Sequence, residues 1–422
     1  MKKVALSFVA FALFVGGAFA QAAAPAASVG IGAWGRGIYA PLISDNSGST
    51  TGTSAGIGTS WGNAPRIGFT IHGDSQYVGF LAHIGVDNNQ FSITDDTQLW
   101  IKPFDGLELQ IGRAFNDTLR GEGSFGSWNW IRTVGMYQGD DAVFKRIGGH
   151  AGGAPGPQNA IVSYTNGGLF VFYEQAQQDS TSSVTVTDIN NKQQTINTGV
   201  PSAVALTTYM DTTANGGLAN ASYGAGYTID KVGQLRVQNI GFADNNSSTV
   251  GQLQAAFRLT GVQNLYADIG IWIPTNVAGV STKGTTTAAD IAGWDFQIPF
   301  YANYKMDKTT VHLGFNYQSY NSKSSNGANG AYDVAVGADY DMGSGVGLTG
   351  DFQIGNKYWA TNANGDAPMS FMLAASKGFS NGSIGIGFQY SKLGFVATAY
   401  PGNYSADNNA EWAVPIKVEY WF

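Results

Sequence analysis

Apolar and polar residues alternate strictly in several segments of about 10 to 13 residues. In NLYADIGIWIP, residues 264–274, the aliphatic side chains fall at every second position, at Leu265, Ala267, Ile269, Ile271 and Ile273. A period of two is that of a β-strand, in which successive side chains point to opposite faces. Strands of soluble sheets usually have about five or six residues, whereas a tilted strand needs about 9 to 11 to cross a bilayer. The pattern predicts an all-β chain with membrane-crossing strands.

The same alternation recurs in segments 294–305, 311–318 and 346–354, and again in 412–422. In the first of these it predicts that Trp294 and Phe296 face outward and that Asp295 faces inward.

Two kinds of connection alternate along the chain. Short ones, with turn dipeptides such as Asp-Gly and Asn-Gly, lie near 73–76, 103–106, 166–168, 230–233, 261–263, 306–308, 342–345 and 380–382. The others are mostly longer, at 44–64, 115–157, 176–216, 275–292, 320–330, 356–366 and 392–410, with short exceptions near 87–90 and 243–248. Short periplasmic turns and long external loops are typical of an up-and-down barrel. This count predicts about 18 strands, with 16 as the alternative, and a long third external loop at 115–157.

Composition separates the membrane barrel from a soluble β-protein. Charged residues make up only 12% of the chain and aromatic residues 13%. A soluble sandwich or propeller with aliphatic and aromatic side chains along its outer faces would be prone to aggregation. In a bilayer the sheet must close on itself, because no water is present to satisfy a free edge. The predicted fold is therefore a transmembrane up-and-down antiparallel β-barrel.

The N-terminal segment, residues 1–20, is predicted to be a cleavable signal peptide. Lys2 and Lys3 precede an apolar run that ends in Ala18-Phe19-Ala20, a small-x-small cleavage pattern. A membrane anchor is the alternative. Residues 21–422 are then expected to form one barrel domain, held together without disulfides, because the chain has no cysteine.

Charge and motif content argue against two other classes of function. Without Lys2 and Lys3 the chain has 20 basic and 29 acidic residues, a net charge of −9, which argues against nucleic acid as a partner. Only four histidines occur, and none lies in a zinc or hydrolase motif. We expect no enzymatic activity, no cofactor and no metal site.

The C-terminal alternation resembles the assembly signal of bacterial outer-membrane β-barrel proteins. The matching residues are Trp412, Val414, Ile416, Val418, Tyr420 and Phe422. The resemblance implies recognition by the barrel-assembly machinery and contact with membrane lipids. The whole chain is similar to the 16- to 18-stranded porins, and segment 99–121 is similar to a hairpin of spirochaete-type porins. This implies a homotrimeric channel for passive diffusion of ions and small polar solutes across the outer membrane.

In porins of this size the third external loop commonly folds into the lumen and narrows it. The corresponding segment here carries charges of both signs, at Arg113, Asp117, Arg120, Glu122, Arg132, Asp140, Asp141, Lys145 and Arg146. Opposed charges in a constriction would set a transverse field and a size limit. A surface flap with solvated charges is the alternative.

Strand phasing predicts which charged residues line the lumen. The inward acids are Asp96, Glu108, Asp268, Asp295, Asp333, Asp339, Asp351 and Glu419, and the inward bases are Lys102, Arg236, Arg258, Lys305 and Lys417. This excess of acids predicts a weak preference for cations. The alternative is that these residues form ion pairs that only brace the wall.

Two further functions are compatible with the sequence. Inward aromatic residues and two loop tryptophans could form a line of rings, a slide, on which the faces of sugar rings stack. These residues are Trp100, Tyr266, Trp272, Tyr301, Trp128 and Trp130. An adhesin or structural barrel is the second, with binding through the external loops. A fatty-acid-type transporter is disfavoured, because strand-like alternation begins soon after residue 20 and leaves little room for an N-terminal plug.

Overall fold

The structure is a computed structural model. It describes residues 28–45, 48–54, 65–87, 90–93, 97–116, 118, 143, 147–148, 159–176, 181–187, 193–201, 221–245, 248–277, 293–322, 329–356, 369–392 and 410–422. The predicted signal peptide, residues 1–20, lies outside the described residues.

Strands account for nearly all of the described chain. They are β1 (Ser28–Asp45), β2 (Gly48–Ser54), β3 (Arg66–Asp74), β4 (Val78–Asp87), β5 (Gln90–Ile93), β6 (Gln98–Phe104), β7 (Leu107–Gly112), β8 (Phe115–Asn116), β9 (Ile147–Gly148), β10 (Asn159–Asn166), β11 (Leu169–Ala176), β12 (Thr181–Thr187), β13 (Gln193–Pro201), β14 (Ala221–Ile229), β15 (Gly233–Asn245), β16 (Ser248–Leu259), β17 (Leu265–Val277), β18 (Trp294–Met306), β19 (Thr309–Tyr320), β20 (Ala331–Gly343), β21 (Val346–Gly355), β22 (Met369–Phe379), β23 (Gly382–Lys392) and β24 (Ala410–Trp421). No helix in the described part of the chain combines the length and hydropathy that crossing a bilayer requires.

The wall is a closed antiparallel barrel of 18 strands, as predicted. Segments β2 and β3 together form its second strand, since both pair with β1, and β5 and β6 together form the fourth, since both pair with β4. The hairpin β12–β13 and the two-residue pair β8–β9 belong to separate small sheets. The barrel closes where β1 pairs with β24, from Trp34↔Trp421 to Ser44↔Trp412.

The short connections fall where the turn dipeptides predicted them. Four of these turns contain a residue other than glycine at positive φ, at Lys231, Asn264, Asp307 and Ser344. Left-handed backbone of this kind is common in tight turns and needs compact local hydrogen bonding. In the last of these turns the Lys377 ammonium donates to the Ser344 carbonyl oxygen.

The barrel is polar inside and apolar outside. Aliphatic side chains are exposed on the outer faces, including Leu235, Ile269, Val336 and Ile386, while amide and charged side chains are buried on the inner faces. Exposed aromatic residues concentrate toward the two rims, with Phe104, Tyr227, Tyr304, Tyr340, Phe379 and Tyr420 at the short-turn end and Tyr223, Tyr332, Phe352 and Phe388 toward the other. On β20, Tyr332 and Tyr340 lie eight residues, or about 26 Å, apart along the strand. At a strand tilt of about 40° this corresponds to about 20 Å along the membrane normal, which is close to the height of an apolar belt between two aromatic girdles.

One predicted inward position departs from strict alternation. The register of β18 against β19 shifts between Trp294 and Phe296. As a result Trp294 is buried, whereas Asp295 is exposed and lies within reach of the Asn321 amide at 3.4 Å. A bulge inserts one extra residue and re-aims the side chains beside it. The simple period-two pattern therefore fails at the first residues of this strand.

Candidate functional site: the barrel lumen

The start of the third external loop is fastened to the inner wall. The Asn159 side chain accepts from the Ala114 amide at 2.7 Å and donates to the Ala114 carbonyl at 2.9 Å. The Gln98 side chain accepts from the Phe115 amide at 3.1 Å, and the Gln110 side chain donates to the Phe115 carbonyl at 2.8 Å. These side chains point inward from three wall strands. The chain therefore turns into the barrel as soon as β7 ends.

Two later residues of the loop are buried inside the barrel. Val143 and Ile147 belong to one apolar cluster with inward-facing side chains of the wall, namely Ile161, Phe170, Phe172, Ala256, Tyr301 and Ala335. A Cβ atom at Gly270, on the inner face of β17, would lie 3.2 Å from a Val143 methyl group and 3.4 Å from the Pro299 ring. For the part of the loop that the structure describes, these contacts favour the lumen over a surface flap.

One of the predicted constriction charges, Arg113, belongs to the described chain. Arg113 is half-buried, and its backbone amide donates to the Thr97 carbonyl at 2.7 Å. The others lie outside the described residues, namely Asp117, Arg120, Glu122, Arg132, Asp140, Asp141, Lys145 and Arg146.

Three of the predicted lumen residues come together near the short-turn end of β15–β17. Arg258 and Asp268 form a two-pronged ion pair, with Nε to Oδ1 at 3.0 Å and NH2 to Oδ2 at 3.2 Å. The Tyr266 hydroxyl donates to the same carboxylate at 2.7 Å, and Arg258 also donates to Gln234 at 3.0 Å. Arg236 is buried beside them. Buried charges are tolerated because each is paired and hydrogen-bonded.

A second charged group lies where the barrel closes. Glu419 accepts from Arg36 at 2.5 Å and from Lys417 at 2.7 Å, and the Ser383 hydroxyl lies 3.3 Å from the same carboxylate. Arg66 is directly opposite Arg36 on β3, with its guanidinium 5.3 Å from the centroid of the Trp34 ring. Neither arginine is among the residues predicted to line the lumen, and for Arg36 the reason is that β1 is rich in glycine and offers few apolar residues to phase it.

A hydrogen-bonded chain crosses four adjacent strands on the inner face. The Tyr301 hydroxyl lies 2.8 Å from His312 Nδ1, and His312 Nε2 lies 2.7 Å from Asp339 Oδ2. The Thr349 hydroxyl donates to the other oxygen of Asp339 at 2.7 Å. Tyr301 is buried in the cluster that holds Val143, whereas Asp339 is partly exposed.

A row of neutral amides lines the middle of β15 and β16. Gln238 donates to Gln254 at 2.7 Å, and Gln254 donates to Gln252 at 2.9 Å. All three are buried. The row joins two strands through side chains as well as backbone.

The remaining predicted lining residues have different surroundings. Lys102 lies 3.8 Å from Glu108 and 4.4 Å from the centroid of the Trp100 ring. Asp333 is buried and accepts from Gln353 at 2.8 Å, while Asp351 is half-buried above Gly337. Lys305 is exposed beside a short turn. Asp96 lies outside the described residues.

The inward aromatic residues do not form an accessible row. Trp272 and Tyr301 are buried, and Tyr266 packs against the same apolar cluster as Tyr301. Trp100 is half-buried, with the Lys102 ammonium 4.4 Å from its ring centroid, and the last two members of the proposed slide, Trp128 and Trp130, lie outside the described residues. Trp272 and Tyr301 are therefore covered rather than presented to a passing sugar. No group of three or more His, Asp or Glu side chains among the described residues is arranged to hold a metal ion.

Two inner-wall glycines leave room for aromatic rings that lie against them. A Cβ atom at Gly79 would overlap the Trp100 ring. One at Gly68 would overlap Trp34 and lie 2.6 Å from His83 Nε2, the atom that accepts from the Trp34 indole at 3.3 Å. Glycine is needed at both positions for space.

No protein-family model matches the sequence, and no curated protein matches it. The backbone is nevertheless similar to solved outer-membrane proteins. For the outer membrane protein opdK from Pseudomonas aeruginosa the identity is 12%, the match covers 94% of this chain and 98% of that one, and the TM-score is 0.50. For OccK11 (OpdR) from Pseudomonas aeruginosa the values are 10%, 94%, 96% and 0.51, and for Acinetobacter baumannii OccAB1 they are 11%, 93%, 97% and 0.50.

Identities this low establish the fold alone. They support the predicted resemblance to porins, whereas the narrower resemblance to spirochaete-type porins stays a prediction. A closed barrel of 18 strands with an apolar belt and a polar interior, similar in backbone to outer-membrane proteins, is a bacterial outer-membrane barrel.

Proposed function

We propose that this chain forms an outer-membrane channel through which ions and small polar solutes diffuse passively. The observation that carries the proposal is the polar inner wall, combined with a third loop whose Val143 and Ile147 are buried against it. A polar lumen admits hydrated solutes, and a loop within it limits their size.

We also propose that any preference for cations is weak. The inner face carries Arg36, Arg66 and Glu174 in addition to the charges predicted from the sequence, so the excess of acids is smaller than predicted. Several inner charges are paired with one another, as in Arg258–Asp268 and Arg36–Glu419. Paired charges contribute little net field to a passing ion.

Planar-bilayer recording of the refolded protein tests the channel directly. We expect steady ion conductance, and a folded barrel that conducts nothing would refute the proposal. The zero-current potential in a KCl gradient reports ion preference. Adding maltodextrins in the same chamber tests the sugar-porin alternative, because only a sugar-binding channel would be blocked in a saturable way. An adhesin would conduct little.

Deletion of residues 120–150 tests the loop. We expect a larger single-channel conductance, since the chain that narrows the lumen is removed. An unchanged conductance in a correctly folded barrel would contradict the constriction. Cleavage after Ala20, predicted from the N-terminal sequence, and the trimeric state, implied by the resemblance to porins, stay proposals. N-terminal sequencing tests the first, and the mass of the detergent-solubilised complex tests the second.

A further inference from the structure

Asp339 is an inner-wall carboxylate whose charge reaches the lumen. Its side chain is 38% exposed, whereas Asp268 and Asp333, which also face inward, are only 3% and 1% exposed. It lies close to the short turn that follows β20. A partly exposed charge at this position acts on ions that pass the short-turn mouth of the barrel.

Two hydrogen bonds hold this carboxylate in place. The Thr349 hydroxyl donates to Asp339 Oδ1 at 2.7 Å, and His312 Nε2 lies 2.7 Å from Asp339 Oδ2. Thr349 is directly opposite Asp339 on β21, and His312 belongs to β19 on the other side. Only 7% of the His312 side chain is exposed. The carboxylate is therefore the member of this group that the lumen reaches, and the imidazole lies behind it.

The hydrogen bonds around His312 define its neutral form. The Tyr301 hydroxyl oxygen accepts from the Asn303 amide at 3.2 Å, which leaves its own proton to donate to His312 Nδ1, 2.8 Å away. In a neutral imidazole one nitrogen accepts and the other carries the proton. His312 Nε2 therefore donates to Asp339. In this form the imidazole is uncharged and the carboxylate keeps its full negative charge.

Titratable groups from three strands surround the imidazole of His312. Those that face it are Tyr301 and Lys305 of β18, Asp339 and Asp341 of β20 and Asp351 of β21. Lys305 and Asp341 are exposed beside the short turns. Asp351 lies over Gly337, which is directly opposite His312 and has no side chain to keep the carboxylate away. A proton added to the imidazole therefore enters a part of the wall with carboxylates on the β20 and β21 side.

Protonation changes the charge of this pair but preserves its central hydrogen bond. Histidine is the side chain that ordinarily changes charge between about pH 5 and pH 8. The added proton binds His312 Nδ1, which then donates to the Tyr301 oxygen, and the hydroxyl proton of Tyr301 turns away from the ring. Nε2 continues to donate to Asp339, now in a charge-assisted hydrogen bond. The pair of His312 and Asp339 then has no net charge, instead of one negative charge.

We infer that Asp339 is a specificity-determining residue of the proposed channel and that the protonation state of His312 sets the charge it presents. With neutral His312 the carboxylate attracts cations to the short-turn mouth, and with protonated His312 the imidazolium cancels this attraction. The preference for cations therefore falls as the pH decreases. This inference rests on the proposed channel function and names one residue that selects ions and one that regulates the selection.

Planar-bilayer recording tests the selectivity at about pH 8 and about pH 5.5, near the two ends of the range in which histidine titrates. The zero-current potential in a KCl gradient gives the ratio of cation to anion permeability. One unit charge about 8 Å from an ion in water changes this ratio by at least about twofold. We expect the ratio of the parent protein to fall by at least that factor between the two pH values.

Two substitutions separate the roles of the two residues. His312→Gln keeps an amide donor and stays neutral, so it should keep the parent ratio at the higher pH and lose the part of the fall that His312 causes. Asp339→Asn should lower the ratio at the higher pH by at least about twofold. It should also lose the His312 part of the fall, because a buried imidazolium without its carboxylate is unfavourable. The double variant should behave like Asp339→Asn alone.

His72→Gln is the matched control, because it removes another inward-facing histidine, which is exposed on β3 and lies over Gly30. Adding His312→Gln to this control should remove the same part of the fall as in the parent protein. The protonation of His312 is also measured without conduction, by NMR of the refolded barrel with ¹³C at Cε1 of its four histidines. The signal that His312→Gln removes should titrate between about pH 8 and pH 5, and should not do so in Asp339→Asn.

An unchanged ratio in Asp339→Asn would overturn the inference. A His312→Gln barrel whose ratio follows pH like the parent would also overturn it, as would a His312 signal that does not titrate. The failure of the two proposals is distinguishable. A folded barrel that never conducts while His312 titrates would refute the channel itself, and any role in selection with it. A conducting barrel with unchanged ratios would refute only the roles of Asp339 and His312.

Discussion

Arg258 holds Asp268 through two parallel hydrogen bonds, at 3.0 Å and 3.2 Å, between two adjacent barrel strands. The two residues are directly opposite in the register of β16 and β17. Because both side chains are buried, removing one leaves an uncompensated charge. The pair therefore matters for the stability of the wall more than for the permeating ion.

Arg258→Met should destabilise the barrel by about 3 to 5 kcal/mol, the usual effect of breaking a buried ion pair from one side. Urea unfolding of the refolded barrel in lipid vesicles measures the free energy. The double variant Arg258→Met/Asp268→Leu is the matched control and should recover most of the loss, because no charge stays unpaired. A double variant as unstable as the single one would contradict this account.

Val143→Asp should raise the single-channel conductance. The substitution places a carboxylate in the cluster with Phe170 and Tyr301, which cannot solvate it, so the loop should leave its packed position. Val143→Thr, similar in shape and uncharged, should have a smaller effect. The measurement is the conductance distribution in planar bilayers. If both variants conduct like the parent, Val143 does not limit the pore.

Asn159→Ala should loosen the base of the third loop. The side chain bonds both backbone groups of Ala114 and also donates to Glu174 at 2.7 Å, so its removal leaves three buried groups without this partner. A loss of about 1 to 3 kcal/mol per unsatisfied group is the expected scale. We expect lower stability in urea and noisier current. Asn166→Ala, at an exposed turn, is the control and should change neither.

Glu419→Gln should move the ion preference toward anions. Glu419 is the carboxylate between Arg36 and Lys417, and its neutralisation removes the negative charge of this group on the inner wall and leaves the two cations. The zero-current potential in a KCl gradient measures the shift. Asp230→Asn also removes a carboxylate, but at an exposed short turn, and should leave the potential unchanged. Equal shifts in the two variants would mean that overall charge decides selectivity.

The outward-facing residues of the barrel can be predicted from the sequence, whereas the inward-facing residues and their partners can be predicted only in part. Contact with lipid requires an apolar side chain at every second position, so residues such as Ile269 and Ile271 identify the segment as a membrane-crossing strand. Inner partners depend on register, which the pattern in one strand does not specify. The Arg36 pairing was hidden for that reason, and the bulge beside Asp295 has no signal in the alternation.

The position of the third loop was equally hidden. The prediction of a constriction was based on its charged residues, but the residues that place its described part in the lumen are apolar, Val143 and Ile147. In the sequence these two residues are visible only as single aliphatic positions in a mostly polar stretch. The inward-facing Phe170 and Phe172, with Ile161 beside them, form the apolar part of the inner wall against which those positions pack.

Aromatic rings that lie against inner-wall glycines affect the width of the lumen. Trp100 lies over Gly79, and Trp34 with His83 lies over Gly68. An alanine at either position would place its Cβ atom 2.2 Å from the Trp100 ring or 2.4 Å from the Trp34 ring, so the ring would have to move away by about 1.5 Å to reach an ordinary carbon–carbon contact. A shift of that size toward the barrel axis would narrow the lumen beside the ring. Some of the 58 glycines in this chain therefore help to keep the lumen wide, because a glycine has no side chain that would displace the ring beside it.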